Sequence, residues 1–231
     1  MRVNTLMVAA LAAGVSVSLF SCSRVEKQSG GAASPEASAN RQARPVVVAF
    51  VQGVVTVNGS SVEPGDEIGR TFTVQTEQGG RLDIVFDERN ALSVGQNAFA
   101  QIDLTSISPQ IRLERGGLAS VLRKLEKLAG QDSFNISTAQ AVLGVRGTSF
   151  CVWADAASTY VCACNGVVHT VDAKGNNEET LASAHHVARL YSSLNGAISV
   201  EAAGLLHHDD ESVQSVASRI GYTIDWTKID D

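Results

Sequence analysis

Turn signals recur every few residues through the first half of this sequence and leave room only for short strands between them. Four dipeptides between residues 46 and 113 are of the kind that reverses a chain: Asn58-Gly59, Pro64-Gly65, Gly79-Gly80 and Val94-Gly95. The intervening segments, such as Val54–Val57 and Leu82–Phe86, are rich in β-branched and other apolar residues. Closely spaced strands without intervening helices predict an all-β fold, an antiparallel β-roll or sandwich.

Two segments break the strand pattern and predict helices. From Leu118 to Ala129, apolar residues recur at helical spacing with charged residues between them, which is typical of an amphipathic helix inserted in the β domain. Near the C-terminus, Asp209 and Asp210 are suited to begin a helix. The apolar residues that follow at helical spacing are Val213, Val216, Ala217 and Ile220. We therefore expect a small helix there as well.

The first 22 residues resemble a bacterial lipoprotein signal peptide. Arg2 precedes an apolar stretch from Leu6 to Phe20 that is too short to span a membrane comfortably. The sequence Leu19-Phe20-Ser21-Cys22 resembles a lipobox, and cleavage before Cys22 would leave that cysteine for lipid attachment. We expect a protein anchored to a membrane by lipid in the cell envelope, on the periplasmic or outer-membrane side. An ordinary secretory signal or an uncleaved anchor is the alternative.

Composition divides the chain into four segments. Residues 1–21 form the predicted signal peptide, and residues 22–45, rich in Ser, Gly, Ala and Gln, form a flexible tether. Residues 46–203 form the predicted β domain. Residues 204–231 form a C-terminal helical appendage.

Charge and motif content exclude two classes of function. The net charge is −6 and no basic stripe with interleaved aromatic residues is present, so we expect no nucleic-acid partner. The sequence contains no nucleophile elbow, no phosphate-binding glycine loop and no zinc-protease motif. We therefore predict a protein that is not an enzyme.

One glycine-containing motif, Val145-Arg146-Gly147-Thr148-Ser149-Phe150, lies between predicted strands. Thr138-Ala139-Gln140-Ala141 precedes this motif and Gly166-Val167-Val168 follows it. Related steps lie upstream in order: Gly53 to Gly59, Pro64 to Ile68, Gly80 to Phe86 and Ile111 to Gly117. Over residues 46–170 this succession resembles the FecR domain family, whose hallmark is Val-Arg-Gly-Thr-x-Phe. Ala139 stands where the family usually has proline.

The resemblance implies a FecR-type β fold and a class of function. In the family, the extracytoplasmic domain senses an outer-membrane iron transporter and signals through a transmembrane helix to a sigma factor. This chain resembles only the extracytoplasmic part, so we expect a binding, sensing or scaffold module with an envelope protein partner. Arg146 is expected to satisfy carbonyl or carboxylate groups where strands pack, with partner binding as the alternative.

Three cysteines remain once Cys22 is assigned to lipid, and an odd number cannot pair completely. A hairpin through Asp155–Ser158 places Cys151 opposite Cys162, with Cys164 on the same face. A disulfide is the default in an oxidising envelope compartment, and Cys151–Cys162 is its best candidate. Buried, unreacted thiols are a second interpretation. A dithiol exchanger is disfavoured because the cysteines lie on a strand rather than at a helix N-terminus.

A metal site is the alternative use of the same cysteines. Cys151, Cys162 and Cys164 could bind zinc, iron or haem together with His185 or His186. If the two histidines lie on a strand, only one of them reaches the cysteines. His207 and His208 form a second pair at the start of the last helix. The default expectation is that no cofactor is bound.

Overall fold

The computed structural model describes residues 44–123, 134–145, 147 and 149–230. This part of the chain forms sixteen strands and one helix. The strands of the first half are β1 Val46–Gln52, β2 Val55–Val57, β3 Ser60–Ser61, β4 Glu67–Ile68, β5 Thr71–Thr76, β6 Arg81–Phe86, β7 Asn90–Val94, β8 Phe99–Asp103 and β9 Gln110–Leu122. The remaining elements are β10 Phe134–Ser137, β11 Ala141–Val145, β12 Ser149–Ala154, β13 Ser158–Asp172, β14 Glu179–Ser183, β15 Val187–Leu194, β16 Ala197–Ala203 and helix α1 Asp210–Ser218. The predicted mostly-β fold with a small C-terminal helix is confirmed.

The predicted inserted helix is wrong over its first residues. Leu118 to Leu122 continue strand β9 and pair with β7 and β12. Their run of apolar and small residues arises because both faces of this strand are buried, which removes the alternation typical of a half-buried strand. Residues 124–129 of the predicted helix lie outside the described part of the chain.

Two sheets share the long strands β9 and β13. Sheet A has the order β4-β1-β6-β7-β9-β12-β13-β15-β16. Sheet B has the order β3-β2-β5-β8-β9-β10-β11-β13-β14. The β9–β10 pair is parallel, and the other pairings among the described strands are antiparallel. Because each long strand enters both sheets, the two sheets are fixed to each other by continuous backbone.

The long strands change sheet at irregular positions. In β9 the change falls near Gly116, whose φ is +86° and where a Cβ atom would lie 2.4 Å from the Cα of Ala98. In β13, Ser149 pairs with Asn165 while its neighbour Phe150 pairs with Ala163, so Cys164 has no partner on β12. This is the geometry of a β-bulge, which bends a strand and re-aims its side chains.

Apolar side chains from both sheets form the first core cluster. Phe86 of sheet A packs against Phe134 of sheet B with ring centroids 6.3 Å apart, and Phe134 contacts Phe150 at 6.4 Å. All three rings are buried. Phe150 is the aromatic residue of the sequence motif, so its place in the motif is explained by core packing.

A second cluster lies on the opposite face of sheet A. It is covered by residues 204–230, here called the C-terminal segment, which contains α1. The buried members of this second core cluster are Ala91, Val121, Cys151, Tyr160, Cys162, Cys164 and Ala188 of sheet A, with Val213, Val216, Ala217 and Ile224 of the C-terminal segment. Sheet A is therefore buried on both faces at its centre.

Part of the motif lies in the described chain. Val145 ends β11, Phe150 lies in β12, and Gly147 between them has φ +72°. Arg146 and Thr148 lie outside the described residues, and the structural role expected for Arg146 stays a prediction.

The predicted signal peptide and Cys22 also lie outside the described residues, as do positions 22–43 of the predicted tether. Within the part of the chain that the structure describes, no helix has both the length and the apolar character needed to cross a membrane. The strands run from Val46 to Ala203, and α1 follows them.

We predict that Gly147→Val destabilises the fold by about 1–3 kcal/mol, because a β-branched residue is strained at positive φ. Chemical denaturation measures the change. Gly69→Val is the matched control, since Gly69 has ordinary φ and nothing within 4 Å of its Cβ position. Equal free energies of unfolding for the two variants would contradict the assignment of strain to Gly147.

Candidate metal centre

Strand β13 places two thiols side by side under the C-terminal segment. Cys162 and Cys164 are two residues apart, so their side chains share a face, and both are fully buried. The predicted register is confirmed, because Cys151 lies directly opposite Cys162 on β12. The three cysteines of the described chain are free thiols, and the Cys151–Cys162 disulfide is not formed in this structure.

His186 reaches the thiols from the turn between β14 and β15. Its backbone N–H donates to the carbonyl of Cys164 at 2.9 Å, which fixes the turn against β13. Its Nδ1 lies 3.5 Å from the Sγ of Cys162. The backbone of His186 has φ +54°, and a non-glycine residue held in this region is often found at a functional site. His185 and His186 therefore do not lie on a strand, since this turn separates β14 from β15.

His208 reaches the same place from the link before α1. Its Nε2 lies 3.5 Å from the Sγ of Cys164 and 3.4 Å from Nδ1 of His186. The link is held from both sides. The Tyr160 hydroxyl donates to the carbonyl of Gly204 at 3.1 Å. Asp209 caps α1 by accepting from the backbone N–H of Ser212 at 2.9 Å.

Three of the six separations among the four inner atoms match those of a tetrahedral metal site. The Sγ atoms of Cys162 and Cys164, Nδ1 of His186 and Nε2 of His208 all lie within 4.8 Å of one another. With Zn–S of about 2.3 Å and Zn–N of about 2.0–2.1 Å, the ligand atoms of a tetrahedron are about 3.3–3.8 Å apart. Two nitrogen–sulfur contacts of 3.5 Å and one nitrogen–nitrogen contact of 3.4 Å fall in this range.

Outer hydrogen bonds leave both inner nitrogens available as ligands. Nε2 of His186 donates to the carboxylate of Asp210 at 2.7 Å, and Nδ1 of His208 donates to the carbonyl of Leu206 at 2.9 Å. In each neutral imidazole the other nitrogen then carries the lone pair. A carboxylate or carbonyl behind a ligating histidine is the usual outer shell of a metal site.

The cluster favours a negative charge on Cys162 and a positive charge on His208. Hydrogen bonds from Cys164, His186 and His208 lower the pKa of the Cys162 thiol to about 3, although burial opposes the shift. Burial raises the pKa of Cys164 well above its usual value. Burial would lower the pKa of His208, but the hydrogen bond to Cys162 and the nearby thiolate charge raise it to about 9. A metal cation can replace the protons that this arrangement holds.

The remaining predicted residues take other positions. His185 does not reach the cysteines, and its Nε2 lies 2.9 Å from the carboxylate of Asp210. Of the two adjacent histidines His186 reaches the thiols, but it does so from a turn and not from the strand on which the expectation depended. His207 stacks on Trp153 at 4.5 Å between ring centroids. Cys151 is buried beside the cluster but is not one of its four converging groups.

Two members of the site were not assigned to it from the sequence. The sequence alone pairs His208 with His207 and gives Asp210 only a role at the helix N-terminus. Both residues adjoin Asp209, and the predicted start of a helix there is confirmed. Their approach to Cys164 and His186 depends on where the C-terminal segment docks, which has no local signal.

One comparison with known proteins identifies a family over part of the chain. The family model described as FecR protein matches residues 72–169, and the resemblance to the FecR family is confirmed over this segment. This range includes Cys151, Cys162 and Cys164 but ends before His186 and His208. None of the curated proteins matches the sequence.

Two crystal structures of a proposed anti-sigma factor from Parabacteroides distasonis ATCC 8503, at 2.50 and 1.65 Å resolution, are similar to this chain. The TM-scores are 0.46 and 0.45, with 18% sequence identity in both alignments. Each alignment covers 56% of this chain and 59% of the solved chain. This chain therefore spans less than two thirds of that protein.

We predict that Asp210→Asn weakens zinc binding by about 10–100-fold, because the amide no longer supplies the charge that orients and polarises His186. Competition with a chromophoric chelator measures the affinity. Glu211→Gln is the control, since Glu211 is exposed and acidic in the same first turn of α1. Equal loss of affinity in both variants would mean that Asp210 acts only through general negative charge.

Proposed function

We propose that this chain is a non-catalytic FecR-domain module of the cell envelope that binds one zinc ion through Cys162, Cys164, His186 and His208. The observation that carries the proposal is the convergence of two thiols and two imidazoles, three of whose inner contacts, at 3.4–3.5 Å, have the spacing of a tetrahedral zinc site. Two sulfur and two nitrogen ligands in a closed tetrahedron are typical of structural zinc.

Charge and burial favour an ion with two positive charges. Cys162 and Cys164 are fully buried, and two buried thiolates are costly unless a cation neutralises them. A divalent ion balances both. Four protein ligands leave no open position for substrate, so the site is suited to binding rather than catalysis.

Haem fits this place less well than a bare ion. The cavity beside the cluster has a volume of about 170 Å³ and is lined in part by Cys151, Trp153, Tyr160 and His208. Pockets for small organic ligands begin at about 300 Å³. A disulfide is the remaining alternative, and it excludes the metal site at Cys162, because a sulfur bonded to Cys151 is a poor ligand.

The FecR match supports a regulatory or sensing role rather than a catalytic one. We further propose that the mature chain is anchored by lipid on Cys22 and that residues 22–45 tether the domain near the membrane. A tether of this length spans on the order of 25 Å. The domain would then work close to the membrane surface with an envelope protein as partner.

Zinc titration of the reduced, chelator-treated protein tests the metal site. We expect one ion per chain, and cobalt in its place should give thiolate-to-metal charge-transfer absorption. Loss of an outer-shell partner lowers metal affinity by about 10–100-fold. Cys162→Ser removes a ligand itself and should lower zinc affinity by more. Cys151→Ser is the matched control and should bind one ion. Absence of binding, or a Cys151–Cys162 cross-link in peptides mapped without reductant, would overturn the proposal.

Cys22→Ser tests the anchor separately. We expect the variant to lack lipid and to leave the membrane fraction, because the lipid is attached through that sulfur. Intact mass and membrane partition of the two proteins are compared after expression in a bacterial host. Unchanged mass and membrane partition would contradict the lipoprotein assignment and would leave the zinc proposal unaffected.

A further inference from the structure

The four zinc ligands come from two parts of the molecule. Cys162, Cys164 and His186 belong to β13 and the turn before β15, all within the β domain. His208 belongs to the C-terminal segment, and so does Asp210, which supports His186 from the first turn of α1. An ion that holds all four ligands therefore also fastens the C-terminal segment to sheet A.

The C-terminal segment depends on docking for its structure. Helix α1 has nine residues, and a helix of that length is marginal in water by itself. Its buried residues Val213, Val216 and Ala217 face the second core cluster, together with Ile224. Docking covers Tyr160 and the thiols of β13, which a released segment would leave facing solvent.

Polar contacts away from the ligands also hold the segment. Nε of Arg219 donates to the buried carboxylate of Asp83 at 2.9 Å, and Arg81 donates to the hydroxyl of Ser215 at 2.9 Å. The amide of Asn165 donates to the carbonyl of Lys228 at 2.9 Å. Because these contacts do not include a ligand, docking can be weakened without changing the metal site itself.

We propose that zinc binding and docking of the C-terminal segment are one coupled equilibrium, in which the ion keeps this segment closed over sheet A and loss of the ion releases it. The inference rests on the proposed zinc site and adds how that site regulates the molecule. Linkage requires the coupling to be reciprocal: zinc must strengthen docking, and docking must strengthen zinc binding by the same factor. Whether the ion is bound would therefore determine whether the face of sheet A that contains Tyr160 and Cys151 is covered.

Hydrogen–deuterium exchange of the full-length reduced protein tests the first direction. We expect saturating zinc to slow amide exchange in α1 by at least about tenfold relative to the chelator-treated protein, within the usual range of coupling. His208→Ala should remove this zinc-dependent protection, because it deletes the ligand that the segment supplies. Exchange in β5, which lies in sheet B, serves as the internal reference and should not change.

The reciprocal direction uses a variant outside the ligand set. Val216→Ser should lower zinc affinity by about fivefold or more, because it weakens docking of α1. Val142→Ser, an exposed valine on β11, is the matched control and should bind like the unmodified protein. If zinc binds stoichiometrically but leaves exchange in α1 unchanged, the coupling is wrong and the zinc site stands. If zinc does not bind at all, the proposed function fails as well.

Discussion

Burial of sheet A on both faces is the constraint on which the rest of this structure depends. Along β12 and β13 alternate side chains enter different clusters, so that Phe150 and Val161 join the first core while Cys151 and Cys162 join the second. Antiparallel sheets often leave one face in water, but this one has apolar side chains on both. A cover over the second face is therefore required, and the C-terminal segment provides it.

The thiols buried under that cover need partners that replace their lost contact with water. A thiolate in a desolvated place is unfavourable unless a positive group lies against it, and the cluster supplies two imidazoles within 3.5 Å of the sulfurs. Their outer nitrogens donate hydrogen bonds to Asp210 and to the carbonyl of Leu206. The hydrogen-bonding pattern thus leaves an electron-rich centre that is enclosed by the fold, and that is the environment a soft divalent cation prefers.

The sequence predicted what local patterns control. Turn dipeptides and strand-forming segments gave the β architecture, and a short hairpin gave the opposition of Cys151 and Cys162. The pattern failed at Leu118–Leu122, where a strand buried on both faces loses its alternation and resembles a helix. It also failed to join His208 to the thiols, because that contact is made by the docking of a distant segment and has no periodic signature.

The proposed ligands are far apart along the chain. Cys164 and His208 are 44 residues apart, and the intervening chain contains strands β14, β15 and β16. In classical zinc fingers the ligands are close in sequence and the metal drives folding from the start. In the folded chain these groups lie together because three strands pair between them and the chain returns across sheet A. If the proposed zinc site fills after these pairings, metal supply would govern the closure of the C-terminal segment over sheet A rather than the assembly of the β domain.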